Sequence, residues 1–114
     1  MQGLKNKVAL ITGGTKGIGY GIAEALLHQG VKVVITSRSE KAANEAAEEL
    51  ATKTNSVGQI IGVASDVRQL QSQENAVKQA IDTFGQLDIV IANAGLGHFA
   101  SIEDLTSEQW NDVI

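Results

Sequence analysis

At 114 residues the chain is long enough for one domain that buries about two thirds of its unfolded surface, and 43% apolar against 19% charged residues marks a packed protein rather than a disordered one. The formal net charge of -4 comes from interleaved acids and bases, so no basic run is available to track a nucleic-acid backbone. No apolar segment approaches the ~18 residues of a membrane span, and the short apolar run behind Lys5 and Lys7 is not a signal peptide.

Val8, Ala9, Leu10 and Ile11 form a continuous apolar run ended by Gly13 and Gly14, the pattern of a strand buried on both faces. A helical spacing follows, with Ile18, Ile22, Ala25 and Leu26 as its apolar face and Gly30 as its C-terminal cap. Residues 31–36 read as a second buried strand. Ser39 then opens an alanine- and glutamate-rich helix with Ala42, Ala43, Ala46, Ala47 and Leu50 as its buried stripe. Residues 52–58 are polar loop, and 59–64 form a third strand weakened by Gly62. Residues 67–84 read as a helix with Leu70, Val77, Ala80, Ile81 and Phe84 mostly on one side, stopped by Gly85. Residues 87–92, almost wholly apolar, are the fourth strand.

The order is βαβαβαβ, and each crossover is long enough to carry a helix between parallel strands. The expected fold class is α/β, a doubly wound parallel sheet, with residues 1–114 as part of one domain. The chain contains no cysteine, which removes disulfides and thiolate metal sites and fits a reducing cytoplasmic setting. His28 and His98 have no ligand-spaced partners, so no metal site is expected.

The first turn carries the chemistry. Between strand one and helix one stands Thr12-Gly13-Gly14-Thr15-Lys16-Gly17-Ile18-Gly19. Glycines let a backbone approach a ligand closely, and the unpaired amides of the next helix carry the positive end of its dipole. A pyrophosphate is the natural guest there; a tight turn with no ligand is the alternative. Two other loops are excluded by inspection. Gly19 is followed by Tyr20 and Gly21, not by the Lys-Ser/Thr of a phosphoryl-transfer loop, and Ile22 stands where Gly-x-Gly-x-x-Gly requires its third glycine.

The spacing that is present, Thr-Gly-x-x-x-Gly-x-Gly, is joined by Asp66-Val67 after strand three and Asn93-Ala94-Gly95 after strand four. Together these resemble the short-chain dehydrogenase/reductase family, and residues 107–114 are similar to the next helix in its bacterial 3-oxoacyl-acyl-carrier-protein reductases. The resemblance covers the whole chain and implies a Rossmann fold. It implies that Gly13, Gly17 and Gly19 line the pyrophosphate, with the Ile18 backbone and Thr15 beside it, and that Thr12 braces strands one and four. Asp66 would hold the adenine amino group, with the Val67 backbone alongside; a helix N-cap is the other reading of Asp66. Asn93, Ala94 and Gly95 would wall the ribose, a bland strand-ending turn being the alternative.

Cofactor choice follows from charge. An NAD site of the Gly-x-Gly-x-x-Gly kind places an acid about 20 residues beyond its glycines, whereas strand two here ends Thr36-Ser37-Arg38-Ser39. Arg38 can offer a fork of donors to a 2′-phosphate, and Lys16 adds a second charge. In the family, basic residues at these places go with NADP; two solvated surface cations are the alternative.

The family's catalytic Asn, Ser and Tyr-x-x-x-Lys have no match in these residues. Asn111 is not the catalytic Asn, and Tyr20, the only tyrosine, lies in helix one. No catalytic residue is therefore assigned. The expectation is the front part, truncated after the fourth strand and the start of the next helix, of an NADP-dependent oxidoreductase that interconverts a small-molecule carbonyl and alcohol. The alternative is a free-standing nucleotide-binding module without catalysis. Thr106 with Gln109 as a capping box and Leu105 with Trp110 as a staple favour the first, because a helix opened this way stops after about two turns. By the same resemblance the whole protein is a homo-oligomer. In the family's strand order 3-2-1-4, strand four would be an open edge and one sheet face would lack helices, so these residues alone are expected to self-associate or to form a partly molten monomer.

Overall fold

The computed structural model describes residues 4–66 and 68–93. The expectations for Val67, Ala94, Gly95 and the helix at 107–114 lie outside the described residues.

β1 (Val8–Thr12) is buried along its whole length, as expected of a central strand flanked on both edges and covered on both faces. β2 (Lys32–Ser37) pairs with it in parallel from Val8 against Lys32 to Thr12 against Thr36. β4 (Ile89–Ala92) lies on the other side of β1, from Ala9 against Ile89 to Thr12 against Ala92. β3 (Ile60–Ala64) extends the sheet beyond β2, giving the order β3-β2-β1-β4. The registers align the C-terminal ends of all four strands. Each following loop therefore emerges along one edge of the sheet, where open α/β folds bind ligands.

Alternation along the strands divides the core. Ala9, Ile11, Val33 and Ile35 face α1 (Gly17–His28) and α2 (Glu40–Lys53), meeting Ala23, Leu27, Ala46, Ala47 and Leu50. Leu10, Val34 and Val63 face the other way, onto Ala76, Val77 and Ala80 of α3 (Leu70–Phe84). The second sheet face is thus not bare, as the sequence suggested. The crossover from β3 to β4 changes face and lays α3 across it.

The helix termini follow local chemistry. α1 ends in a Schellman arrangement: Gly30 N–H donates to the Leu27 carbonyl at 3.1 Å and Val31 N–H to Leu26 at 3.1 Å, with Gly30 at φ 81°. Ser39 caps α2 by accepting from Ala42 N–H at 3.1 Å. Gly85 ends α3 in the left-handed region.

Three sequence expectations need correction. The buried stripe of α1 is Gly19, Ala23 and Leu27; Ala25 is exposed, and Ile22 and Leu26 are only half-buried. Small residues face the sheet because the helix packs close to it. Likewise, Leu70 and Ile81 of α3 are about half exposed. Gly62 is not merely a weak point in β3, since a Cβ there would sit 2.3 Å from the Ala43 carbonyl oxygen. It lets α2 lie directly on the strand.

Candidate functional site

The turn from β1 to α1 is folded onto its neighbours from both sides. Gly13 N–H donates to the Thr36 carbonyl at 3.0 Å, tying the turn to the end of β2. Asn93, just beyond β4, donates its backbone N–H to Thr12 Oγ1 at 3.0 Å and its side-chain amide to the Gly13 carbonyl at 3.4 Å. Thr12 Oγ1 in turn reaches the Ile91 carbonyl at 3.5 Å. Thr12 therefore bridges β1 and β4. Gly19 packs into the same junction: a Cβ there would lie 2.6 Å from Asn93 Nδ2 and 2.8 Å from the Gly13 carbonyl oxygen. Only glycine lets the first turn of α1 come this close to the end of β4.

The start of α1 suits an anion. Gly13 and Gly17 sit at φ 69° and 65°, so the turn opens without side-chain strain. Lys16 at the N-cap makes no side-chain cap, and the first turn holds no acid. Its amides and dipole are therefore not met by a carboxylate of the helix itself. Ile18, which follows Gly17, projects outward and is 63% exposed.

Beside this turn lies a cleft of about 1020 Å³, at the upper end of the roughly 300–1,000 Å³ typical of small-molecule sites. It gathers Gly13, Thr15 and Lys16 from the glycine turn, Ser37 and Arg38 from the end of β2, and Asp66 from beyond β3. Six sequence-selected residues thus share one wall. Gly17, Ile18, Gly19 and Asn93 shape the turn without lining the cleft. Thr36, at the end of β2, also lines it, and its Oγ1 is buried with no hydrogen-bond partner among the described residues.

The charges in the cleft are not equivalent. Ser37 Oγ accepts from Ser39 N–H at 3.2 Å, which folds the Ser37-Arg38-Ser39 segment onto the start of α2. Glu45 pairs with Lys41 at 4.0 Å, and Glu49 accepts a hydrogen bond from the Tyr20 hydroxyl. Among the described residues neither Lys16 nor Arg38 has an ion-pair partner. The net effect is two uncommitted cations against acids that are already occupied.

Asp66 does not cap α3, which begins at Leu70 after Gln69. Its Oδ1 accepts from Arg68 N–H at 3.0 Å and Arg68 Nε at 3.0 Å, and its Oδ2 from Arg68 Nη2 at 2.9 Å. The Arg68 side-chain bonds, then its backbone N–H and charge, with Arg38 adding a smaller attraction, hold the carboxyl down at about 2. The Asp66 N–H donates to Ser72 Oγ at 2.8 Å, fixing the backbone as well. Arg68 was not singled out from sequence; its only signal was a cation two residues beyond the acid, which by itself reads as solvated.

Tyr20, also unassigned, forms a flank of the cleft. Its hydroxyl bonds Glu49 across the α1–α2 gap, and Lys53 Nζ stands 5.4 Å from its ring centre while pairing with Glu24 at 3.4 Å. The Glu49 hydrogen bond, reinforced by burial and by the charges of Glu49 and Glu24, pushes the phenol up to about 12. This cluster clasps the two helices together. Among the described residues no group of acids and histidines could hold a metal ion, and no helix is long and apolar enough to cross a membrane.

The sequence model of the short chain dehydrogenase family matches residues 7–114. The chain belongs to this family. It is 39% identical over 113 residues to an uncharacterized oxidoreductase of Methylorubrum extorquens, covering 99% of this chain and 45% of that relative. Among solved structures it is similar to the 3-ketoacyl-acyl-carrier-protein reductase of Brucella melitensis complexed with NADH, at 34% identity and TM-score 0.72, covering 96% of this chain and 43% of that one. It is also similar to the L-sorbose reductase of Gluconobacter frateurii complexed with NADPH and L-sorbose, at 34% identity and TM-score 0.74, covering 93% and 40%. This short-chain dehydrogenase chain thus spans less than half the length of each, and its parallel sheet is the Rossmann fold of the family.

Proposed function

We propose that residues 1–114 form the NADP(H)-binding part of a single dinucleotide-binding domain in an oxidoreductase that reduces a ketone or 3-oxoacyl thioester to an alcohol, or runs the reverse reaction. The observation that carries this reading is the pairing of an acid-free glycine turn with Lys16 and Arg38, two cations in one cleft without ion-pair partners among the described residues. The amides at the start of α1, with Gly13, Gly17 and Gly19, cradle the pyrophosphate. Lys16, Ser37 and Arg38 would take a 2′-phosphate, and Thr15 would stand beside the pyrophosphate. Asp66 accepts from the adenine amino group with Val67 beside it, while Asn93, Ala94 and Gly95 wall the ribose. When bound, the cofactor supplies hydride exchange with a carbonyl carbon.

The residues described fit that group, because the cleft that holds Lys16 and Arg38 also holds the Thr36 hydroxyl, a buried polar atom with no hydrogen-bond partner among the described residues. Both NADH and NADPH occur in structurally similar proteins, so the choice rests on this chain's own charges. None of the assigned residues donates a proton to the substrate, and the reacting groups belong to the rest of the protein. A cytoplasmic homo-oligomer acting on a small molecule is the setting we propose for it.

Replacing Ser37 by Asp and Arg38 by Ala together tests the cofactor assignment. The double variant should bind NADH more tightly than NADPH, the reverse of the wild type. A wild type that already prefers NADH overturns the reading.

A further inference from the structure

Arg68 stands out because it engages Asp66 with three donors while its own side chain remains 68% exposed. An ionised carboxylate offers about four lone-pair positions. Two bonds at Oδ1 and one at Oδ2 fill three of them, so one acceptor position remains, on Oδ2. The two side-chain bonds form a fork that sets the plane of the carboxylate, and the Ser72 bond fixes the backbone behind it. The Asp66 side chain is only 19% exposed and lines the cleft. The Asp66 carboxylate therefore presents a single remaining acceptor position, in a plane set by Arg68.

We propose that Arg68 is a specificity-determining positioning residue, which reduces Asp66 to one fixed acceptor and so makes the site select an amino-bearing purine over an oxo-purine. This rests on the NADP(H) reading above. An exocyclic amine supplies one N–H to the remaining Oδ2 position. A purine with a carbonyl there has no donor to offer and turns an oxygen toward a carboxylate. A freely rotating aspartate would discriminate less, because it can swing away from the carbonyl or find another donor. Asp66, whose carboxyl Arg68 holds below its ordinary value, is an acceptor throughout the physiological range with or without that shift.

The test is calorimetric titration of the whole chain with NADPH and with its hypoxanthine counterpart, in which oxygen replaces the adenine amino group. The wild type should favour NADPH by about tenfold or more, the scale of one charge-assisted hydrogen bond. In Arg68→Ala that ratio should fall to about threefold or less, mostly through weaker NADPH binding. Arg68→Lys keeps the charge but cannot hold both oxygens in one plane. It should therefore leave the ratio about as low as in Arg68→Ala. A titration of the Asp66 carboxyl carbon by NMR should rise from about 2 toward 3.8 in Arg68→Ala, which reports that the fork is lost, while the ligand ratio is the readout that a purely structural role would not move. Unchanged thermal midpoints show that both variants fold.

An unchanged adenine-to-hypoxanthine ratio in Arg68→Ala overturns the inference, as does an equal loss for both ligands that Lys restores. A wild-type ratio near one, with NADPH still bound, overturns it and leaves the NADP(H) reading standing. Failure of both NADPH and NADH to bind overturns the two together.

Discussion

Replacing Gly19 by alanine puts the junction of the glycine turn, α1 and β4 under direct strain. The new Cβ would meet Asn93 Nδ2 at 2.6 Å, the Gly13 carbonyl oxygen at 2.8 Å and Gly14 Cα at 3.1 Å. Asn93 can turn aside, at the loss of its 3.4 Å bond to Gly13. The Gly13 backbone cannot move freely, because its N–H is held by Thr36 at 3.0 Å. Overpacking of this kind costs about 1–3 kcal/mol, offset by up to ~1 kcal/mol from the better helix propensity of alanine. A net loss of roughly 1–2 kcal/mol should lower Tm by about 4–8 °C, taking ~2.1 cal/mol/K of unfolding entropy per residue. Gly21 lies in the same helix, but a Cβ there meets nothing within 4 Å. Gly21→Ala should therefore stabilise by up to ~1 kcal/mol. Thermal unfolding of both variants, with NADPH titrations beside it, gives the comparison. Adding Asn93→Ala to Gly19→Ala should recover only part of the loss, since the carbonyl contact persists. If Gly19→Ala is as stable as Gly21→Ala, the close approach that shapes the turn is not real.

Tyr20, the only tyrosine, should ionise near pH 12 by ultraviolet absorbance, and Glu49→Gln should bring it back toward 10. Because its folded pKa is raised, the clasp's contribution to stability is complete below pH 10 and is lost as pH rises through about 12. Asp66 behaves oppositely: its pKa is depressed, so its contribution is complete above 3.8 and disappears as pH falls through about 2. Acid unfolding should show this dependence in the wild type and not in Arg68→Ala. Asp66→Ala should weaken NADPH binding by about tenfold while costing less than the roughly 0.5–2 kcal/mol of a lost helix cap, since Gln69 holds the N-cap position of α3. A cap-sized loss with unchanged affinity refutes that placement.

The alternation of strands and helices was legible because parallel strands covered on both faces must be apolar throughout, and Val8 to Ile11 and Val33 to Ile35 are. The helix caps at Ser39, Gly30 and Gly85 were readable for a similar reason, since their chemistry is local. What escaped depends on tertiary distance. The buried face of α1 was misread because large side chains dominate a periodicity count, while close packing on the sheet selects Ala23 and Gly19. Gly62 looked like a defect until α2 was seen to rest on it. The glycine turn, Arg38 and Asp66 could be placed at one edge from strand order alone. Their neighbour Arg68 could not, because a side-chain fork onto an acid two residues away leaves no trace in a hydrophobic pattern.

The most direct test of the central claim is the ratio of NADPH to NADH dissociation constants for the wild-type chain, measured by calorimetry at two salt concentrations. With Lys16 and Arg38 unpaired among the described residues, NADPH should bind at least about tenfold more tightly. That advantage should shrink as salt screens the two exposed cations. Equal affinities, or a preference for NADH, would contradict the account.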